Sequence, residues 1–118
     1  MPAYLLNFVR DISDREAVEQ YWSQVGETYS GRGKPLVAYA PFEVLEGDMP
    51  VWGVVAFEFP SMQDARDWYY GPEYQEVKKL RIGAQDNVCV LAEGGWVPAA
   101  DRRPPADFRA PGPVSSVS

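Results

Sequence analysis

Glu58, Tyr74 and Arg81 are the side chains of this sequence best suited to moving protons and holding charge. Trp68, Tyr69 and Tyr70 crowd the segment between them. Aromatic rings beside a cation on a half-buried helix commonly line a small-molecule pocket, where rings enclose the flat apolar part and a few polar groups orient it. Arg81 reads as a clamp for an anion or carbonyl, as a partner for Glu58, or as a snorkelling stem with its head in water. Glu58 lies in phase with Trp52, Val54 and Ala56 on a nearly all-apolar run. A carboxylate on such a face pairs with a cation or is held protonated, and the alternative is a solvated strand end. Glu58, Arg81 and Tyr74 are therefore the candidate catalytic residues. Asn7, Trp22, Tyr39, Trp68 and Tyr69 are candidates for substrate binding.

What is missing narrows the chemistry further. The 118 residues contain no histidine and one cysteine, Cys89. His-based triads, His general bases and nearly all zinc and haem schemes are removed, so no metal ligands and no cofactor are nominated. Cys89 reads as a small buried hydrophobe in mid-strand, without a base beside it. A lone cysteine forms no intramolecular disulfide, and a cytoplasmic location is the default expectation. Net charge is −6 and the pI is near 4.5, which argues against nucleic acid or an anionic membrane as partner. No run approaches the roughly 20 apolar residues of a membrane span. The opening MPAYLLNFVRD has no basic region and reads straight into a strand, unlike a signal peptide.

The elements that must position these groups follow from periodicity. Ala3–Val9 is a short apolar run, predicted as a buried strand. Asn7 within it is either a strand-end amide satisfied by backbone or a polar anchor projecting into a pocket. Ser13-x-x-Glu16 is a capping box that opens a helix to about Ser30, with Val18, Tyr21, Trp22, Val25 and Tyr29 on one face. Tyr21 and Trp22 read first as core. Pro35–Leu45 is predicted as an edge strand, or one bulged at Pro41. Val51–Phe59 is the strongest strand. Ser61-x-x-Asp64 opens a second helix, Gly71-Pro72 breaks it, and Tyr74, Val77, Leu80, Arg81 and Ala84 share a face of its continuation. Asn87–Glu93 is the last strand. From Val97 onward the composition changes: Pro98, Pro104, Pro105, Pro111 and Pro113 fall there among eleven prolines in all. The expected organisation is a domain over 1–96 and a Pro-rich tail over 97–118, which Trp96 and Phe108 can anchor.

Strand, helix, strand, strand, broken helix, strand is the βαββαβ order of an α+β, ferredoxin-like fold with a four-stranded antiparallel sheet. Nearly all-apolar strands require both sheet faces to be covered. The economical cover for the second face is another copy about a two-fold axis, giving a dimeric α/β barrel and a homodimer. Glu58-Phe59-Pro60, Ala65-Arg66-Asp67-Trp68-Tyr69, Pro72-Glu73-Tyr74-Gln75 and Arg81 together resemble the DUF1330 family of the dimeric α/β-barrel superfamily. The resemblance runs from about Ala3 to Gly94. The wider superfamily includes cofactor-independent monooxygenases, small lyases and isomerases. By that resemblance Trp68, Tyr74, Asn7 and Arg81 correspond to the Trp, Tyr, Asn and Arg of the quinone-forming members. The expected function is a cofactor-independent enzyme acting by proton transfer (cyclisation, isomerisation or dehydration) on a small aromatic or polyketide-like intermediate. The alternatives are a cofactor-free monooxygenase of an aromatic substrate and a small-molecule-binding dimer without turnover.

Overall fold

Alternation in three apolar segments builds the sheet that carries the site. In the computed structural model, which describes residues 1–29 and 31–110, β1 spans Ala3–Ile12, α1 Arg15–Thr28, β2 Lys34–Ala38, β3 Gly53–Phe59, α2 Met62–Tyr70, α3 Pro72–Lys78 and β4 Gln85–Glu93. The strands form one antiparallel sheet in the order β2-β3-β1-β4. That order with this element sequence is the ferredoxin-like arrangement. Asn7 lies in the centre of it, across from Val55 on β3 and Cys89 on β4. Ala3, Leu5, Asn7 and Val9 share the helix-covered face with Gly53, Val55, Phe57 and Phe59, because successive strand side chains alternate between faces. Trp68 and Tyr74 from the helices close the core over them. Among the described residues no helix is long and apolar enough to cross a membrane.

Four local expectations change. The predicted strand Pro35–Leu45 ends at Ala38, because Tyr39 takes a positive φ of 59° and turns the chain away after one last bond, from its N–H to the Val54 carbonyl. β2 is an edge strand, as Pro41 implied, but Pro41 itself lies in the loop that follows. The cap of α1 is Asp14, whose side chain accepts from the Ala17 N–H, while the Ser13 hydroxyl donates to the Gly83 carbonyl. Asp caps a helix as well as Ser does, and Ser13 is occupied elsewhere. Arg81 does not continue α3. It sits in the turn after it, which the Ser13 and Asp14 N–H groups pin by both donating to the Ala84 carbonyl. β4 begins two residues before the predicted Asn87, bringing Gln85 onto the sheet.

Ser61 caps α2 as expected: its hydroxyl accepts from the Asp64 N–H and donates to the Asp64 carboxylate. Gly71 then separates α2 from α3 with Pro72 in the first turn of α3. Beyond β4, residues 97–110 hold a short 3-10 turn at Ala99–Asp101 and a turn closed by the Phe108 N–H donating to the Pro105 carbonyl. Trp96, just before this segment, and Phe108 within it are exposed in the single chain. The remainder of the predicted tail, 111–118, lies outside the described residues, as does the helix end expected at Ser30.

Candidate functional site

Between the inner sheet face and the helices lies a cleft of about 260 Å³. β1 contributes Leu5 and Asn7, β3 contributes Val55 and Phe57, and β4 contributes Gln85 and Cys89. The helices contribute Tyr21, Trp22, Val25, Trp68 and Tyr74; Tyr29, Tyr39 and Arg81 enter from connections. Six of the eight residues nominated from sequence therefore meet here: Asn7, Trp22, Tyr39, Trp68, Tyr74 and Arg81.

The other two do not. Glu58 is in phase with Val54 and Ala56, but that face is the outer one, away from the helices. Glu58 stands across from Tyr4 and raises the Tyr4 phenol pKa, first by hydrogen bonding. Neither Glu58 nor Arg81 forms a salt bridge among the described residues, so the expected Glu58–Arg81 pair does not exist. Tyr69 lies in a neighbouring cavity of about 240 Å³ with Tyr70 and Leu91, and Leu5 and Cys89 form the wall common to both.

Arg81 organises the polar end of the cleft. It is 6% exposed. Its Nε and Nη2 donate to the Tyr74 hydroxyl at 3.3 and 3.2 Å, and its Nη1 donates to Asn87 Oδ1 at 3.3 Å. Asn87 Nδ2 in turn donates to Asn7 Oδ1 at 2.9 Å. On the other side the Tyr74 and Tyr21 hydroxyls are 2.9 Å apart, and the guanidinium lies 5.6 Å over the Tyr21 ring. Two N–H groups already point at the Tyr74 oxygen, which favours the Tyr74 proton going to the Tyr21 oxygen, although either hydroxyl can be the donor. The Tyr21 proton is then the free end, at the cleft wall.

Protonation follows from burial. Burial pushes the Tyr21 phenol well above its ordinary value, with Tyr74 the second cause. Tyr29 is raised by burial, then by Tyr74. Partial desolvation at the cleft also raises Tyr39, against the Trp22 N–H, and the Cys89 thiol, against Arg81, although both residues are exposed. Burial alone works against the Arg81 charge, but the Tyr74 and Tyr21 oxygens outweigh it and keep the guanidinium above its ordinary value. Among the described residues no carboxylate lines the cleft. It presents a fixed cation and proton donors, and no general base.

The aromatic walls are held from outside. Trp68 Nε1 donates to Thr28 Oγ1 at 2.9 Å, and Tyr29 stacks between Phe57 and Trp68 at 4.4 and 4.9 Å. Trp22 Nε1 donates to the Tyr39 hydroxyl at 3.2 Å. That bond requires the left-handed turn at Tyr39, which lays its ring over Gly53; a Cβ there would stand 2.6 Å from the ring. A non-glycine residue in this conformation costs on the order of 1–3 kcal/mol, a cost found where surrounding contacts over-determine the geometry. Among the described residues no group of three or more His, Cys, Asp or Glu is placed to hold a metal. Sequence reasoning took Tyr21 as core and left Asn87 and Gln85 without a role. The polar character of Asn87 and Gln85, in phase with Cys89 on a strand of inward-facing residues, was the available signal.

The family model for DUF1330, a domain of unknown function, matches residues 2–95. The chain belongs to the DUF1330 family. Among solved structures it is similar to a protein of unknown function from Rhodopseudomonas palustris, 21% identical with a TM-score of 0.63, over 81% of this chain and 84% of that one. It is also similar to a hypothetical Arabidopsis thaliana protein, 13% identical with a TM-score of 0.56, over 82% and 89% of the two chains. At these identities the likeness concerns the fold. No curated protein matches the chain. The DUF1330 match ends within a residue or two of β4, so the cleft and all its lining lie inside the family segment.

Proposed function

We propose that this DUF1330 chain is a cofactor-independent enzyme that binds a small anionic aromatic molecule and assists a proton-transfer rearrangement of it. One observation carries the reading: a guanidinium 6% exposed, facing an aromatic cleft, with no carboxylate partner among the described residues. A buried charge is costly unless paired. Hydrogen bonds to Tyr74 and Asn87 use three of the five guanidinium N–H groups; the others meet only the neutral Tyr21 phenol and suit a carboxylate, phenolate or enolate. Arg81 holds that oxygen and stabilises charge developing on it. Tyr21, at the free end of the relay, supplies the proton, with Tyr74 behind it. This replaces the role expected of Glu58, which is on the wrong face.

Size points to the smaller end of the expected substrates. A dry cavity of about 150 Å³ accepts benzene, and drug-sized pockets begin near 300 Å³. The cleft at about 260 Å³ matches one substituted ring. A larger, polyketide-like molecule would extend past Leu5 and Cys89 into the second cavity. The missing general base favours one alternative, a binding module without turnover, because the substrate must then arrive ionised or bring its own base.

The test is binding of benzoate and phenolic acids followed by thermal shift and NMR, with turnover measured alongside. Arg81→Leu should abolish binding. Arg81→Lys should weaken it by about 1.5–3 kcal/mol, as charge is kept and the planar fork lost. Unchanged affinity in both variants sinks the reading. Binding with no conversion of any bound ligand selects the module.

We also propose that the chain is a homodimer through the outer sheet face, where Leu6, Phe8, Val88 and Val90 are each more than a third exposed.

A further inference from the structure

Two exposed apolar surfaces of this chain carry opposite charge. The first is a shallow groove of about 380 Å³ on the outer sheet face, between Phe8, Val54 and the loop after β2. Phe42, Leu45 and Met49 on that loop are exposed, Leu45 by 82%. The loop, residues 39–52, contains Glu43, Glu46 and Asp48 and no basic residue. The second is the arm after β4. Trp96 is 84% exposed, Val97 and Phe108 are exposed, and so is every residue from 97 to 110. Arg102, Arg103 and Arg109 outnumber Asp101 and Asp107 there, a local positive excess in a chain of net charge −6. Among the described residues none of these charged side chains forms a salt bridge. The arm takes its shape from its own contacts. The Arg102 guanidinium lies 5.1 Å over the Trp96 ring and its Nε donates to the Val97 carbonyl at 3.0 Å, while Arg103 Nη1 donates to the Ala100 and Arg102 carbonyls. Pro98, Pro104 and Pro105 fix φ, so little conformational entropy is lost when such a segment docks, and apolar grooves recognise Pro-rich segments for that reason.

We propose that the arm over residues 96–110 docks in this outer-face groove of a second copy of the chain, so that two copies exchange arms. The inference rests on the outer-face homodimer. Topology favours exchange over docking at home. The arm leaves from the β4 edge, at the end of the sheet where Glu93 pairs with Ala3. The groove lies toward the β2 edge, at the other end, where Phe8 pairs with Val54. Arm and groove of one chain therefore sit at diagonally opposite corners. A two-fold axis in the contact plane, along the other diagonal, carries the arm corner of one copy onto the groove corner of the next. Residues 97–110 reach up to about 50 Å when extended, ample for that corner. The exposed rings and methyl groups supply the strength of the contact, and the carboxylates of the loop set its register against the arginines.

The experiment reverses charge on each side of the contact in the full chain and reads the dimer by analytical ultracentrifugation. Arg102→Glu with Arg103→Glu, and separately Glu43→Lys with Glu46→Lys, should each weaken the dimer about tenfold, because like charges then meet at both arms. Each Glu→Lys adds two charges, so the second pair moves the net charge from −6 to −2. That change alone eases repulsion between copies, and a weaker dimer therefore reports a lost local contact. An equimolar mixture of the two variants should regain the native dissociation constant, since every arm again faces a groove of opposite charge. All four substitutions in one chain should regain it as well, and recovery shows that the variants fold. If the native chain dimerises and either charge variant dimerises as tightly, arm exchange is overturned and the outer-face dimer stands. If the fourfold variant recovers but the mixture does not, the arm lies on its own chain and the exchange is overturned. A native chain that is monomeric at all concentrations removes the dimer, and the exchange falls with it.

Discussion

The Tyr74 hydroxyl and the Tyr21 hydroxyl look alike in the cleft but carry unequal loads. Tyr74 accepts from Arg81 twice and shares a hydrogen bond with Tyr21, which takes none of the two Nε and Nη2 bonds. Tyr74→Phe leaves two N–H groups of a buried cation unpaired, at a cost of about 1–3 kcal/mol. Tyr21→Phe removes one neutral hydrogen bond and should cost about 0.5–1.5 kcal/mol. Urea denaturation of the two variants tests the order, and equal losses would mean that the relay has no direction. The same phenols set an alkaline limit. Burial raises Tyr21, Tyr29 and Tyr39 above the value of 10.0 that they regain on unfolding. Above that pH the unfolded chain releases protons that the folded chain keeps, so stability is intact below pH 10 and falls as pH rises beyond it. A flat stability profile from pH 9 to 11 (about one unit either side of the phenol's ordinary value) contradicts this. Arg81 and its rings were legible at this scale because a cation among aromatics is unusual composition. Glu58 was misjudged for a physical reason: its phase with Val54 and Ala56 is correct, but both faces of β3 are apolar, and periodicity cannot say which one the helices cover.

Two joints between elements aim the polar groups. At the first, Gly71 separates α2 from α3, and a Cβ there would stand 2.7 Å from the Asp67 carbonyl oxygen. That oxygen is backbone and cannot rotate away. Gly71→Ala should therefore cost about 1–3 kcal/mol, as overpacking does. It should also weaken aromatic-acid binding, since Tyr74 follows the joint by three residues. Loss of stability with native affinity would show that α3 is not positioned by the break. At the second joint, the turn after α3 is bound to the start of α1 through Ser13, Asp14 and Ala84. That contact joins residues 70 apart in the sequence, so no local pattern announces it. Helical phase alone placed Arg81 on the correct side but in the wrong element. Gln85 was missed similarly: the turn signals of Gly83 and Asp86 hide that pairing with Ile12 has already begun. The strong periodic elements, β1, α1, β3 and the capped α2, were read to within a few residues because their own spacing specifies them.

Over the whole molecule, the helices cover one face of the sheet, and within the described chain only the loop after β2 approaches the other, at Phe8 and Val54. Leu6, Phe8, Val88 and Val90 are 36%, 37%, 41% and 47% exposed. Phe8 and Val54 also line a shallow cavity with Phe42, Leu45 and Met49 from the loop after β2. A sheet face with polar alternation would tolerate water; this one alternates apolar with apolar. A second copy across a two-fold axis presents the same patch to itself, which is the self-complementary geometry of an isologous dimer. The net charge of −6 opposes association of two copies, so the contact must be apolar and its strength should fall little with added salt. Analytical ultracentrifugation should find a dimer for the native chain and a monomer for the double variant Phe8→Glu, Val88→Glu, which places four carboxylates in the centre of the contact. These substitutions leave the cleft untouched because they lie on the opposite face. A folded monomeric variant that still binds aromatic acids would assign ligand recognition to the single chain and the outer face to assembly. A native chain that sediments as a monomer at all concentrations rules the dimer out.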